Sequence, residues 1–315
     1  MNMLNKLFSF FTQEMIAGLD IGDDYLTVSC ASLDKEGKIK LENIGCVQNQ
    51  RFDTVRESAS LIKKLWRNYR VKTRTVCFSF HTSSLVARYF KYPSLSDKEL
   101  RSAIRLEAEE AFQRHQDELL VDWYIYPREP SSENVFIEGV LVALPKDVVD
   151  RQMSILGKAG LYPVALDTAC MSMSRLFLKS QAAPVDKTTC VVNLNNRGAD
   201  IAILSKGPCI YPRNIYFKES SGQERINYLL EGMQDVFRYY QFKLNKTPVE
   251  KIVFTGRASF DKDFQEAILG ALTIPSEFWD PLKGIRIDRK ISPETAEACG
   301  PIMAPSLGLL IRKGL

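Results

Sequence analysis

The chain has 315 residues, 45% hydrophobic and 25% charged, enough to bury a large core and to divide into more than one domain. A net charge of +4 is too small to indicate a nucleic-acid partner, and two histidines exclude a histidine metal cluster. Seven cysteines, at 30, 46, 77, 170, 190, 209 and 299, form no Cys-x-x-Cys pair; they read as reduced, mostly buried thiols and not as a disulfide framework or a zinc site.

The opening segment Met3–Phe11 is apolar but short, is soon followed by Glu14 and lacks a small-residue cleavage site. It reads as a segment docking on its own domain, with a membrane-surface or partner contact as the alternative, and not as a signal peptide. No stretch approaches the roughly twenty apolar residues that span a bilayer. Three strands follow, around Met15–Asp20, Tyr25–Ser32 and Ile39–Gln48, separated by Gly-Asp-Asp and by the turn Asp34–Gly37. From Thr54 to about Arg70, Val55, Ala59, Leu61, Ile62, Leu65 and Trp66 recur at helical spacing, and Thr75–Phe80 is a buried strand.

A compact module is expected over about Ser83–Val164. The strand Leu85–Tyr92 ends at Pro93, and Ser96 or Ser94 caps a helix with Leu100, Ala103, Ile104, Ala108, Ala111 and Phe112 on one stripe. Strands Leu119–Tyr126 and Val135–Leu144 flank an exposed Pro127–Asn134 loop; a helix Lys146–Ala159 ends at Gly160 and leads into the strand Leu161–Leu166. After a linker-like Gln181–Lys187 come strands Thr189–Leu194, Ala199–Lys206 and Cys209–Asn214, then a long helix from about Gln223 to Phe242. Lys251–Phe254 is a buried strand entering the turn Thr255–Ala258, Asp261–Gly270 is a helix, and Ala304–Arg312 reads as a final helix packed back on the fold.

One phrase occurs twice. Ala17–Val28 and Val191–Ala202 each consist of an apolar strand, a small polar turn and a second apolar strand. Gly22 in the first turn, and Asn195-Asn196 followed by Gly198 in the second, are expected to supply positive φ angles. The duplication implies an α/β chain in two halves with a cleft between them, an organisation that resembles the actin-like ATPase superfamily, whose paired hairpins hold a nucleotide's phosphates and magnesium.

A narrower resemblance is to the PilM family of type IV pilus assembly, related to FtsA, over nearly the whole length. It is carried by Gly18-Leu19-Asp20-Ile21-Gly22, by Phe90-Lys91-Tyr92-Pro93-Ser94-Leu95-Ser96 before a Glu-rich helix, and by Val142-Ala143-Leu144-Pro145 before Ala159-Gly160-Leu161-Tyr162-Pro163. Phe254-Thr255-Gly256, Asp280-Pro281 and the closing Leu307–Arg312 complete it. The resemblance implies an α/β, actin-like two-lobed fold with a small SHS2-like subdomain inserted in the first half. Residues 1–82 then form subdomain 1A, completed by 165–183 and 304–315; 83–164 form the inserted subdomain 1C; and 184–303 form subdomains 2A and 2B.

The resemblance also implies ATP and magnesium at Asp20, Gly22, Asp23, Asp24, Thr27, Asn193, Asn195, Gly198, Gly256 and Arg257, with Asp20 toward the metal. Several of these positions depart from the family pattern. Hydroxyl residues and a lysine follow Asp-Ile-Gly in the family, where this chain has Asp23, Asp24 and Thr27. Asn193 and Asn195 replace an Asp and a Gly, and Arg257 replaces the second glycine of the adenosine turn. Carboxylates facing a triphosphate oppose binding, so nucleotide binding is expected to be weak or absent and turnover absent. Arg197 and Arg257 are read as surface or structural arginines, with contact to phosphates or stacking on a base as the alternative.

By the same resemblance the chain is a cytoplasmic scaffold, peripheral to the inner membrane through the N-terminal tail of a PilN-like membrane protein. Pilus platform and motor proteins and self-association are further implied contacts. The tail is expected as an extended peptide between the first and inserted subdomains, with strands Leu85–Tyr92 and Leu119–Tyr126 as candidates. Alternatives are a nucleotide-switched ATPase and a platform component of a type II secretion or mannose-sensitive pilus system. An FtsA-like division role is disfavoured by the lack of a C-terminal amphipathic membrane helix. No G-x-x-x-x-G-K-[ST], G-x-G-x-x-G or G-x-S-x-G motif is present, and Glu107, Glu109 and Glu110 read as a solvated charge run.

Overall fold

The computed structural model describes residues 15–33, 39–48, 50, 54–126, 136–180, 186–205, 207–217 and 222–311. The expected Met3–Phe11 segment, the Asp34–Gly37 turn, the Pro127–Asn134 loop, residues 181–185 of the linker and Arg312 lie outside the described residues.

The elements in chain order are β1 (Ile16–Ile21), β2 (Tyr25–Leu33), β3 (Ile39–Gln48), α1 (Val55–Asn68), β4 (Thr75–Phe80), β5 (Val86–Pro93), α2 (Asp97–Phe112), β6 (Leu119–Ile125), β7 (Phe136–Pro145), α3 (Lys146–Ala159), β8 (Tyr162–Leu166) and α4 (Ala169–Ser180). Then come β9 (Thr189–Leu194), β10 (Gly198–Leu204), β11 (Cys209–Tyr216), α5 (Gln223–Arg238), β12 (Lys251–Gly256), α6 (Lys262–Ala271), β13 (Ser276–Phe278), β14 (Arg286–Ile287), α7 (Pro293–Cys299) and α8 (Ala304–Leu309). They group into two compact units, one from the described residues of 1–80, 155–176 and 280–315, the other from those of 81–154 and 177–279.

The first unit is built on a six-stranded sheet, β14-β3-β2-β1-β4-β8. Helix α1 starts where Thr54 and Glu57 satisfy each other's backbone N–H groups in a capping box, and it buries Ala59, Ile62 and Leu65 at helical spacing. On the face that carries Gly18 and Ser29, α8 approaches closely: the Ser29 hydroxyl donates to the Ser306 carbonyl at 2.8 Å. A β-carbon on Gly18 would lie 2.0 Å from that same carbonyl oxygen. The close approach is therefore written into the sequence as a residue with no side chain.

The expected end of the inserted module at 164 falls within this sheet. Strand β8 pairs in parallel with β4, so residues 155–176 group with the first unit. Gly160, at φ +78°, ends α3 and turns the chain into β8.

The second unit holds a five-stranded sheet, β11-β10-β9-β12-β13, and a three-stranded one, β5-β7-β6. Strands β9 and β10 are buried along their whole length, which explains their nearly unbroken apolar runs. Helix α5 packs Ile226, Leu229, Met233 and Val236 against Val192, Ile201 and Phe254. The expected single helix to Phe242 instead stops at Arg238 and continues as a π-helical turn, Tyr239–Lys243. That wider turn seats Tyr240 in the core while Tyr239 stacks on Tyr211, ring centroids 5.6 Å apart. Helix α2, capped by Ser96 and Glu99, covers one face of the small sheet with Leu100, Ile104 and Ala108 against Phe90, Leu119 and Leu141.

Glu138 of β7 ties the small sheet to the rest of its unit. It accepts from the Tyr89 hydroxyl at 2.6 Å and from Lys246 at 2.6 Å, and pairs with Lys91 at 3.1 Å. Burial pulls this carboxyl upward, but the bonds from Lys246, Tyr89 and Lys91 outweigh it and hold the pKa at about 2, down from 4.5. A depressed carboxylate stabilises the fold above its unfolded value and loses that contribution as pH falls through its folded value. Stability should therefore decline between pH 4.5 and about 2 partly through this group. In urea titrations at stepped pH, Glu138→Gln should lower stability at pH 7 and flatten the acid limb. An unchanged limb would assign the acid sensitivity elsewhere.

Candidate functional site

The two repeated hairpins occupy matching places in the two larger sheets. In the first, β1 is parallel to β4 and antiparallel to β2, which is antiparallel to β3. In the second, β9 stands in the same relations to β12, β10 and β11. Register then aligns two cross-strand rows: Ser79, Asp20, Thr27 and Cys46 in one unit, and Thr255, Asn193, Asp200 and Asn214 in the other. Directly opposed residues point to one face, so each row is a line of neighbouring side chains. The carboxylate sits on the first strand of one hairpin, as Asp20, and on the second strand of the other, as Asp200.

Asp20 is fully buried, and both its oxygens are engaged. Oδ1 accepts from the Ser79 hydroxyl at 2.6 Å and Oδ2 from the Tyr25 hydroxyl at 2.8 Å. Tyr25 itself is 1% exposed. Its ring lies over Gly22, where a β-carbon would fall 2.1 Å from a ring carbon, and the Gly22 N–H donates to the Tyr25 carbonyl at 2.9 Å. Asp23 and Asp24 are half-buried at the turn, and Thr27 is buried with no hydrogen bond from its Oγ1.

The second hairpin gathers amides round Asp200. Its carboxylate, 1% exposed, accepts from Asn193 Nδ2 at 3.0 Å, Asn195 Nδ2 at 3.4 Å and Asn214 Nδ2 at 2.5 Å, and His81 Nε2 lies 3.4 Å away. The Oδ1 atoms of Asn193 and Asn195 are buried without a hydrogen bond. Gly256 has φ +90°, and a β-carbon there would stand 2.6 Å from Asn193 Oδ1; Arg257, half-buried, opens the short turn that follows.

The structure thus brings Asp20, Gly22 and Thr27 together in one unit and Asn193, Asn195 and Gly256 in the other. It corrects the expected role of two glycines. Gly22 and Gly198 do not have positive φ. Gly22 makes room for the Tyr25 ring, and Gly198 for the Ile215 carbonyl oxygen, 2.1 Å from where its β-carbon would be. Tyr25, Ser79, His81, Asp200 and Asn214 are site residues that motif reading does not find. The spacing of seven between Asp20 and Thr27, and again between Asn193 and Asp200, is the signal that could have found Asp200.

Among the described residues no helix is long and apolar enough to cross a membrane, and no group of three or more His, Cys, Asp or Glu side chains could hold a metal ion. No curated protein matches the chain significantly. The solved structure "PilM-PilN type IV pilus biogenesis complex" is similar at a TM-score of 0.80 and 18% identity, covering 96% of this chain and 99% of that one. The cytoplasmic domain of EpsL, an inner membrane component of the type II secretion system of Vibrio cholerae, is similar at 0.52 and 7% identity, covering 95% and 96%. These likenesses show that the chain shares the α/β fold of those two structures. The family model of "Type IV pilus assembly protein PilM" matches residues 18–229, and the chain therefore belongs to the PilM family of type IV pilus assembly proteins.

Proposed function

We propose that this chain is a cytoplasmic scaffold of the type IV pilus inner-membrane platform, that it binds the N-terminal tail of a PilN-like membrane protein, and that its nucleotide site is degenerate. The observation that carries the scaffold reading is the likeness to the PilM–PilN structure over 96% of the chain. Support for an extended peptide ligand comes from the small sheet. Both strands singled out in the sequence, β5 and β6, are its edges, and Leu120, Tyr124 and Ile125 of β6 are exposed large apolar side chains. An edge strand offers main-chain hydrogen bonds for register, and such side chains offer apolar anchorage.

ATP and magnesium, which the fold family implies, are poorly matched by these residues. Phosphate oxygens require donors and cations, whereas the first turn presents Asp23 and Asp24 and has its glycine covered by Tyr25. The unbonded amide atoms beside Asp200, Asn193 Oδ1 and Asn195 Oδ1, are acceptors. Calorimetry with ATP and magnesium should give no binding tighter than about 1 mM. Micromolar affinity, with phosphate release abolished by Asp20→Ala, would establish the nucleotide-switched alternative.

The scaffold reading is tested with a synthetic peptide of the tail of the PilN-like protein from the same organism. Micromolar binding is expected, weakened at least about tenfold by a Leu120→Asp, Tyr124→Ala double variant, as for loss of one or two apolar anchors. Binding that the variant leaves intact would move the groove away from β6. No binding at all would remove the scaffold reading's partner.

A further inference from the structure

One pair of side chains takes no part in the reading above. Cys46, the last member of the row Ser79, Asp20, Thr27, Cys46, meets Cys299 at the end of α7, and the Cys299 thiol donates to Cys46 Sγ at 2.8 Å. Gln48 Nε2 approaches the same sulfur at 3.6 Å. The two thiols differ in surroundings: Cys299 is buried and Cys46 is partly exposed, the one cysteine of the seven that is not buried. The hydrogen bond to Cys46, and then burial, push the Cys299 thiol up, so Cys299 keeps its proton. The Cys46 thiol in turn donates to the Ala298 carbonyl at 3.8 Å, and of the two sulfurs only that of Cys46 is open to a small oxidant from solvent.

We propose that Cys46 and Cys299 form a reversibly oxidised dithiol site whose substrate class is hydroperoxides, with Cys46 as the attacking thiol and Cys299 as the resolving one. In the first step Cys46 Sγ attacks the O–O bond of hydrogen peroxide, giving a sulfenic acid at Cys46 and one water. In the second, Cys299 Sγ displaces the sulfenic oxygen, the S–S bond forms, and the thiol proton leaves with that oxygen as a second water. Two thiols lose two electrons and two protons, and the peroxide is reduced to two waters. The sulfurs already touch, and a disulfide of roughly 2.05 Å needs only a short further approach. The bond would fasten β3 to α7, just ahead of the α8 segment whose Ser306 carbonyl rests against Gly18.

The test uses the full reduced chain, hydrogen peroxide, and alkylation followed by peptide mass spectrometry. The expected product is a single cross-link between the Cys46 and Cys299 peptides, reversed by dithiothreitol, with the other five cysteines still alkylated after denaturation. The thermal midpoint of the oxidised chain should rise by roughly 5 °C or more, as expected for closing a long loop. In Cys299→Ser, a sulfenic-acid probe such as dimedone should label Cys46; in Cys46→Ser it should leave Cys299 unlabelled. Oxidation without that cross-link, prior oxidation of any of the other five thiols, or labelling of Cys299 in Cys46→Ser would each overturn the proposal.

Discussion

Gly18→Ala is expected to destabilise the first unit by about 3 kcal/mol or more. The new methyl group would lie 2.0 Å from the Ser306 carbonyl oxygen, which is backbone and cannot rotate away. Helix α8 would have to retreat, breaking the buried bond from Ser29 Oγ and opening a gap over β1. Gly157→Ala is the control, because a β-carbon there meets nothing within 4 Å, and a helix interior gains roughly 0.5–1 kcal/mol from alanine. Urea unfolding of the two variants should move in opposite directions. Equal stability of Gly18→Ala and the parent chain would show that the α8 contact is slack.

The second large effect concerns the displaced carboxylate. Asn193→Asp would put a second buried carboxylate where an amide now sits 3.0 Å from Asp200, at a cost of about 2–4 kcal/mol near neutral pH. Asp200→Asn removes the charge that Asn195, Asn214 and His81 converge on, and should cost about 2 kcal/mol. Together the two substitutions return the carboxylate to the position that Asp20 holds in the other hairpin. An amide at 200 can donate to it while accepting from Asn214. The double variant should therefore be more stable than the sum of the singles predicts, by at least about 2 kcal/mol of coupling. Strict additivity in a denaturation cycle would mean that positions 193 and 200 are not coupled.

Much of the fold was legible where one physical signal dominated. Thr75–Phe80, Ile39–Gln48 and Thr189–Leu194 are bounded by turn residues and carry unambiguous strand patterns, and Lys146–Ala159 has both a helical stripe and a terminating glycine. Helix α4 was not legible, because Cys170, Met173, Leu176 and Phe177 are all buried and Ser172 and Ser174 are buried with them, leaving only Arg175 and Lys179 as a charged edge, too little to set the period. Strands β13 and β14, of three and two residues, carry too little sequence to make a pattern. At the site, motif positions were found and their partners were not. Tyr25 reads as an ordinary strand opener until its hydroxyl is seen on Asp20, and Asp200 acquires meaning only from register.

The first unit is drawn from widely separated parts of the chain, and this sets an order of events during synthesis. Ser29 waits for a carbonyl 277 residues further on. At translation rates of roughly 5–20 residues per second that delay is some tens of seconds. Every segment of the second unit has been made once Trp279 is complete, while the Gly18 face of the earlier sheet still lacks α8. The nascent chain thus holds every segment of one unit while the other still lacks its last helix, and the face of β1 and β2 that α8 covers stays open until the chain is nearly complete.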